Sequence, residues 1–192
     1  MTVAAVVLAA GAGRRFNRDD PEARPGAKLL VDLAGRPVVR WAIDAASAAG
    51  ADEVIVVSGA ADLSTVVPGG VTVLDNPDWS TGQASSLAVA LRWCEQRGHA
   101  RAVIGLGDMP GLTGEAWRRV AGCEGGPLVF ATYDGRRGHP VALDAEVWAL
   151  LATSGDEGAR SLAREHPEWV CEVACNGAPN DIDVPEDLER WN

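Results

Sequence analysis

Four cysteines and three histidines are all that this 192-residue chain offers as sulfur or imidazole ligands for zinc. Cys94, Cys123, Cys171 and Cys175 are scattered among ordinary core residues. The Cys171–Cys175 pair has no histidine beside it, which argues against zinc. A reduced, cytoplasmic protein is the expectation. Basic charge is also short: 17 lysines and arginines stand against 27 acids, a net charge of −10. That balance argues against a nucleic-acid partner, because a phosphate backbone needs a basic face. It leaves room for a small anionic ligand in a local basic pocket. No apolar run is long enough to cross a bilayer, so no membrane partner is expected. The chain opens directly on strand-like residues, without the basic segment and apolar stretch of a signal peptide. Repeats, low-complexity tracts and linkers are absent too, and a single domain over 1–192 is expected.

What is present is alternation. Short, valine-rich runs bounded by glycine, proline and aspartate predict strands at Val3–Ala9, Glu53–Ser58, Val71–Leu74, Ala102–Leu106, Leu128–Thr132, Pro140–Leu143 and Val170–Val173. Helical patterns fall between them, at Val38–Ala49, Gln83–Gln96, Gly114–Ala121, Ala145–Thr153, Ala159–Glu165 and Pro185–Trp191. Ala84, Leu87, Ala88 and Leu91 make one apolar stripe at helical spacing. Such alternation implies an α/β fold: a doubly wound, mainly parallel sheet covered on both faces, with ligands at the carboxyl ends of its strands. The polar, proline-bearing segment Asn17–Gly26 reads as a surface loop. The seven tryptophans are dispersed and read as packing residues.

The glycine turn after the first strand, "VVLAAGAGRRF", suits two phosphate-binding loops. A dinucleotide fingerprint needs a third glycine, a following helix and an acid ending the second strand. Here Phe16 takes the glycine's place, a polar loop follows, and the second strand ends in Val56-Val57-Ser58-Gly59. A Walker loop fails for want of G-K-[ST]. What remains is a turn with free N–H groups, two arginines and Lys28 beyond the loop, a set that suits a triphosphate.

This stretch resembles the L-A-A-G-x-G-x-R-[FM]…K signature of the MobA-like nucleotidyltransferases, especially their molybdenum cofactor cytidylyltransferase branch. "GQASSL" (Gly82–Leu87), "GLGDMP" (Gly105–Pro110), "GHPVAL" (Gly138–Leu143) and "GDEGAR…DIDVPEDL" (Gly155–Leu188) match in the family's order and carry the likeness across nearly the whole chain. The resemblance implies a Rossmann-like fold of the nucleotide-diphospho-sugar transferase type. The implied reaction joins CTP to a phosphorylated pterin, with Mg2+ as cofactor, and a molybdoenzyme is an implied further partner. Leu8, Ala9, Ala10, Gly11 and Gly13 would line the nucleotide, and Arg15 and Lys28 would grip its phosphates. Arg15, and not Arg14, matches the family's arginine. Gln83, Ser85 and Ser86 would meet base and ribose; as residues alone, the serines read equally well as helix-start residues.

Asp108, at the end of a strand, reads alone as a turn or cap residue, and Asp183 as a helix N-cap before Pro185. The resemblance gives them a joint role as magnesium ligands. It also turns His139, Asp156 and Arg160 toward the second substrate, although His139 would equally suit a strand start and the other two a helix cap and a surface pair. Ala10 stands where the guanylyl branch has a second glycine, which favours CTP over GTP. The chain departs from the family in one place, carrying more residues between Phe16 and Lys28 than the compact spacing of the cytidylyl branch. A sugar phosphate or isoprenoid-precursor phosphate as acceptor, and an NAD(P)H-dependent reductase built on the same fold, are the competing readings.

Overall fold

A computed structural model describes residues 1–191 apart from 19–21, 23, 152–154, 156 and 157. Among the described residues, nine strands and four α-helices follow in chain order: β1 (Val3–Leu8), β2 (Asp32–Leu33), β3 (Arg36–Pro37), α1 (Val38–Ser47), β4 (Glu53–Ser58), β5 (Thr72–Asp75), α2 (Gln83–Gln96), β6 (Arg101–Leu106), α3 (Gly114–Ala121), β7 (Leu128–Tyr133), β8 (Arg136–Asp144), α4 (Ala159–Glu165) and β9 (Val170–Ala174). Seven strands form one sheet in the order β5-β4-β1-β6-β8-β7-β9, and β2 pairs with β3 in a separate hairpin. Within the large sheet β8 runs antiparallel to its neighbours, β6 and β7, and the other pairings are parallel.

Strand β1, inside the sheet between β4 and β6, shows why the sheet is covered on both sides. Alternate side chains of a strand point to opposite faces. Ala4, Val6 and Leu8 share one core with Leu87 and Leu91 of α2 and Leu162 of α4. Ala5 and Val7 share the core on the other face with Val39 and Ile43 of α1 and Trp117 and Val120 of α3. Both sets are apolar, so the strand reads as a continuous hydrophobic run. The architecture is therefore the expected doubly wound α/β domain.

Local differences have local causes. The strand expected at Pro140–Leu143 begins at Arg136, because Asp134 and Gly135 (φ 49° and 76°) make a two-residue turn that hairpins β7 onto β8. An irregularity then falls where Phe130 pairs with Val141 but Ala131 with Gly138, leaving His139 and Pro140 as the extra residues. Proline has no N–H for the ladder, which suits it to a bulge. Ala145–Leu150 and Pro185–Trp191 form 3-10 turns in place of α-helices. The first helix stops at Ser47, two residues short of the expected end.

Candidate active site

The strands end together, and the glycine turn begins there. The Ala9 N–H donates to the Val57 carbonyl and the Gly107 N–H to that of Leu8, both at 2.9 Å, tying the ends of β1, β4 and β6. The extra residues beyond Phe16 do not carry Lys28 away. At their far end the Gly26 N–H donates to the Ala12 carbonyl at 2.8 Å. Gly26 has φ 77°, and a Cβ there would come within 2.6 Å of that of Ala61, so glycine is required at this return. A 3-10 turn, Ala27–Leu30, follows. It brings the Lys28 chain against Gly13, where an added Cβ would lie 3.2 Å from its own.

Lys28 Nζ sits 2.7 Å from Asp108 Oδ2 and 3.8 Å from Asp183 Oδ1. The two predicted metal ligands therefore face one ammonium group. Arg15 Nη1 reaches the same Asp183 carboxylate at 2.5 Å, from a side chain that is 77% exposed. The 181–184 strap is held across the site by the Ile182 N–H, which donates to the Asp108 carbonyl at 2.9 Å. Its cap is Asp187: that carboxylate accepts from the Asp183 and Val184 N–H groups at 2.9 and 3.0 Å. The capping role open to Asp183 thus belongs to Asp187. Likewise α3 is capped by Thr113 and not by Asp108. A third acid, Asp181, lies close by. Burial pushes its carboxyl up from the usual value, and the charges of Asp183 and Asp108 push it further.

Two cavities meet here. One, of about 380 Å³, runs along Leu8–Arg14 and is walled by Lys28, Trp79, Gln83, Ser86 and Asp108. The second, of about 320 Å³, has an apolar floor of Ile104, Phe130 and Val141 beneath Arg137, His139, Arg160 and Arg164. Leu8, Gln83 and Leu106 line both, and Asp181 lines the second. The structure thus gathers the nucleotide residues expected from Leu8 to Gly13, with Lys28, Gln83, Ser86 and Asp108, around one groove. His139 and Arg160 face the adjoining one. Asp156 lies outside the described residues.

Two expected residues are placed differently. Arg15 lines neither cavity and pairs with Asp183, whereas Arg14 lines the groove. Ser85 also lines neither; its hydroxyl lies 2.8 Å from the Gly82 carbonyl and accepts from Asn76 Nδ2 at 2.9 Å. On a helix, successive residues diverge by about 100°, so only one of two adjacent serines faces the groove. Trp79, Asn76, Asp181 and Arg137 escape sequence reasoning. Of these, Asp181 left a signal, as the first acid of "DID".

His139 is half-buried, and its Nδ1 lies 3.2 Å from the Ile104 carbonyl. A carbonyl can only accept, so Nδ1 carries the proton. Burial pushes the imidazole pKa down, as does the Arg160 charge, against the Ile104 bond and Asp108. The ring is therefore neutral at pH 7, with Nε2 as an acceptor.

The Asp108 and Asp183 carboxylates both face the Lys28 ammonium, and their hard oxygens are a donor set that fits Mg2+. Among the described residues no group of three or more histidines, cysteines or acids could hold a metal. An ion here would need further oxygens from a triphosphate and water.

Residues 5–169 match the profile of the MobA-like NTP transferase domain. Nicotine blue oxidoreductase of Paenarthrobacter nicotinovorans is 30% identical over 203 residues, 98% of this chain and 95% of that protein. A nucleotidyl transferase from Methanothermobacter thermautotroptrophicus (Mth528) superposes with a TM-score of 0.81 at 27% identity, covering 98% of this chain and 95% of that one. Rv0371C from Mycobacterium tuberculosis H37Rv, solved in complex with manganese, gives 0.80 at 27% identity, with 100% and 98% covered.

Proposed function

Because the chain belongs to the MobA-like NTP transferase family, we propose that it transfers CMP from CTP to a molybdopterin-type cofactor, a phosphorylated pterin, and releases pyrophosphate. The observation that carries this reading is the pair of cavities joined at Leu8, Gln83 and Leu106, with Asp108 in one wall and Asp181 in the other. A nucleotidyl transfer needs its two substrates side by side, and acids where they meet would hold the metal that neutralises the phosphates. The glycine turn offers N–H groups to the triphosphate, and Lys28 and Arg14 supply positive charge beside them. The second cavity joins an apolar floor to arginines in a chain of net charge −10. That combination suits a flat ring carrying a phosphate, held by Arg160.

The acceptor phosphate attacks the α-phosphorus in line, and the bond to pyrophosphate breaks. Phosphate is a nucleophile at neutral pH, so no base is required, and positioning with charge neutralisation dominates. Lys28 and Arg15 leave their carboxylates to take up charge on the departing pyrophosphate. Asp108 and Asp183 would hold Mg2+, which supplies charge neutralisation at the phosphate oxygens when bound. The methyl of Ala10 narrows the base pocket and favours cytosine over guanine.

The test is pyrophosphate release from CTP or GTP with the pterin, a sugar phosphate or an isoprenoid-precursor phosphate as acceptor. Release with CTP and the pterin alone supports the reading, whereas release with another acceptor replaces the pterin. A second reading, an NAD(P)H-dependent reductase, is favoured by the end-to-end likeness to nicotine blue oxidoreductase. Reduction of an added electron acceptor by NAD(P)H, with neither CTP nor GTP present, would establish it.

A further inference from the structure

Asn76 is 1% exposed, at the end of β5, and touches neither cavity, yet every polar atom of its side chain is committed. Its Oδ1 accepts from the Asp78 N–H at 3.0 Å. Its Nδ2 donates to Ser85 Oγ and Ser86 Oγ, both at 2.9 Å. The amide cannot be turned over, because a backbone N–H can only donate and must face the oxygen. Both serine oxygens are therefore acceptors toward Asn76. Ser85 has carbonyls for its own proton, Gly82 at 2.8 Å and Asp78 at 3.1 Å. Ser86, 4% exposed and in the wall of the nucleotide groove, donates to no group among the described residues; its oxygen keeps a second lone pair, but its buried proton finds a partner only by turning to the groove, since Asn76 bars the other direction.

We propose that Asn76 is a specificity-positioning residue: it fixes Ser86 as a hydrogen-bond donor into the groove, and so selects cytosine over uracil. The inference rests on the nucleotide reading given above. Cytosine offers an unprotonated ring nitrogen and a carbonyl on adjacent positions, both acceptors. Uracil carries N–H at that ring position, a donor facing a donor. A site built to satisfy one pattern leaves groups unpaired with the other.

The test is calorimetric titration of the full chain with CTP and with UTP in magnesium buffer, which needs no acceptor substrate. Asn76→Asp keeps the shape and the Asp78 contact, but its carboxylate takes the Ser86 proton and turns a lone pair to the groove. The CTP-over-UTP preference should fall about tenfold, roughly the value of one hydrogen bond. Ser86→Ala should lower it similarly while leaving Asn76 in place. Adding Asn76→Asp to Ser86→Ala should then change the preference no further. A purely structural role would weaken both nucleotides equally, or act just as strongly in the Ser86→Ala background; either result overturns the inference. An unchanged preference in Ser86→Ala overturns it without recourse to the Asn76 variant. If the parent binds neither nucleotide, the nucleotide reading itself fails, and the inference with it.

Discussion

Lys28 and Asp108, eighty positions apart, form an ion pair at 2.7 Å at the mouth of the nucleotide groove, with side chains 8% and 22% exposed. The pair holds the place that a metal and a triphosphate would divide between them, carboxylate to the one and ammonium to the other. Removing Lys28 takes away a phosphate contact that carries no information about the base. Lys28→Ala should weaken CTP and GTP about equally, by roughly 1.5–3 kcal/mol, the range for hydrogen bonds to charged groups. Nucleotide titrations check this, and a change confined to one base would refute it.

Asp108→Asn preserves shape but not charge. Turnover should drop about a hundredfold or more, as when a charge-stabilising group is lost, while the chain still folds, with a lower melting temperature because Lys28 loses its partner at 2.7 Å. Asp183→Asn should act alike, and without loss of a helix cap, since that role lies with Asp187. Asp187→Ala should lower stability more than Asp183→Asn does. Steady-state rates and thermal melts of the three variants separate the roles.

Base choice should respond to the wall behind Ala10. A Cβ on Gly59 would stand 2.9 Å from the Ala10 Cβ and 2.8 Å from that of Trp79, so the three positions are packed to their limit. Ala10→Gly should shift the CTP-to-GTP ratio several-fold, since one buried methyl is worth about 1 kcal/mol. Gly59→Ala should cost about 1–3 kcal/mol of stability through overpacking and displace Trp79 into the groove. Affinity and denaturation measurements on both variants give the answer, and an unaltered ratio in Ala10→Gly would dismiss the methyl as a determinant.

Arg160 lines the second cavity, proposed above for the acceptor, and not the groove along Leu8–Arg14. Arg160→Ala should raise KM for the phosphorylated acceptor by about tenfold or more, the value of a charge-assisted contact, and leave KM for CTP nearly unchanged. Equal effects on both substrates would place the arginine elsewhere in the mechanism.

Far from the site, Glu53 accepts from Thr72 Oγ1 at 2.7 Å and Trp93 Nε1 at 3.0 Å, and it pairs with His99 Nε2 at 2.8 Å. Burial alone would raise its pKa, but the bonds from His99, Thr72 and Trp93, together with the His99 charge, hold it at about 2, below the ordinary 4.5. A depressed carboxyl contributes stability above its unfolded pKa and loses it as pH falls through the folded value. Acid melts should therefore show stability declining between about pH 4.5 and 2, with a shallower decline in Glu53→Gln. Identical slopes would remove Glu53 as the cause.

The order of strands and helices was written in the sequence because burial on both sheet faces demands it. A strand such as VAAVVL has no polar side to offer water, and helices must follow to cover it. The Gly-x-Gly turn and Lys28 were legible as anion-binding chemistry, whereas Asp108 and Asp183 read alone as turn and cap residues and took a joint role only from the family resemblance. What only the tertiary structure decided is which groups share a space. Phase along a helix turned Ser86, and not Ser85, to the groove. The return at Gly26 brought Lys28 back to Gly13 despite the extra residues. Trp79 entered the groove, and Asn76 its support, by packing alone, because no local pattern records that a buried amide after a strand will meet the first turn of the next helix.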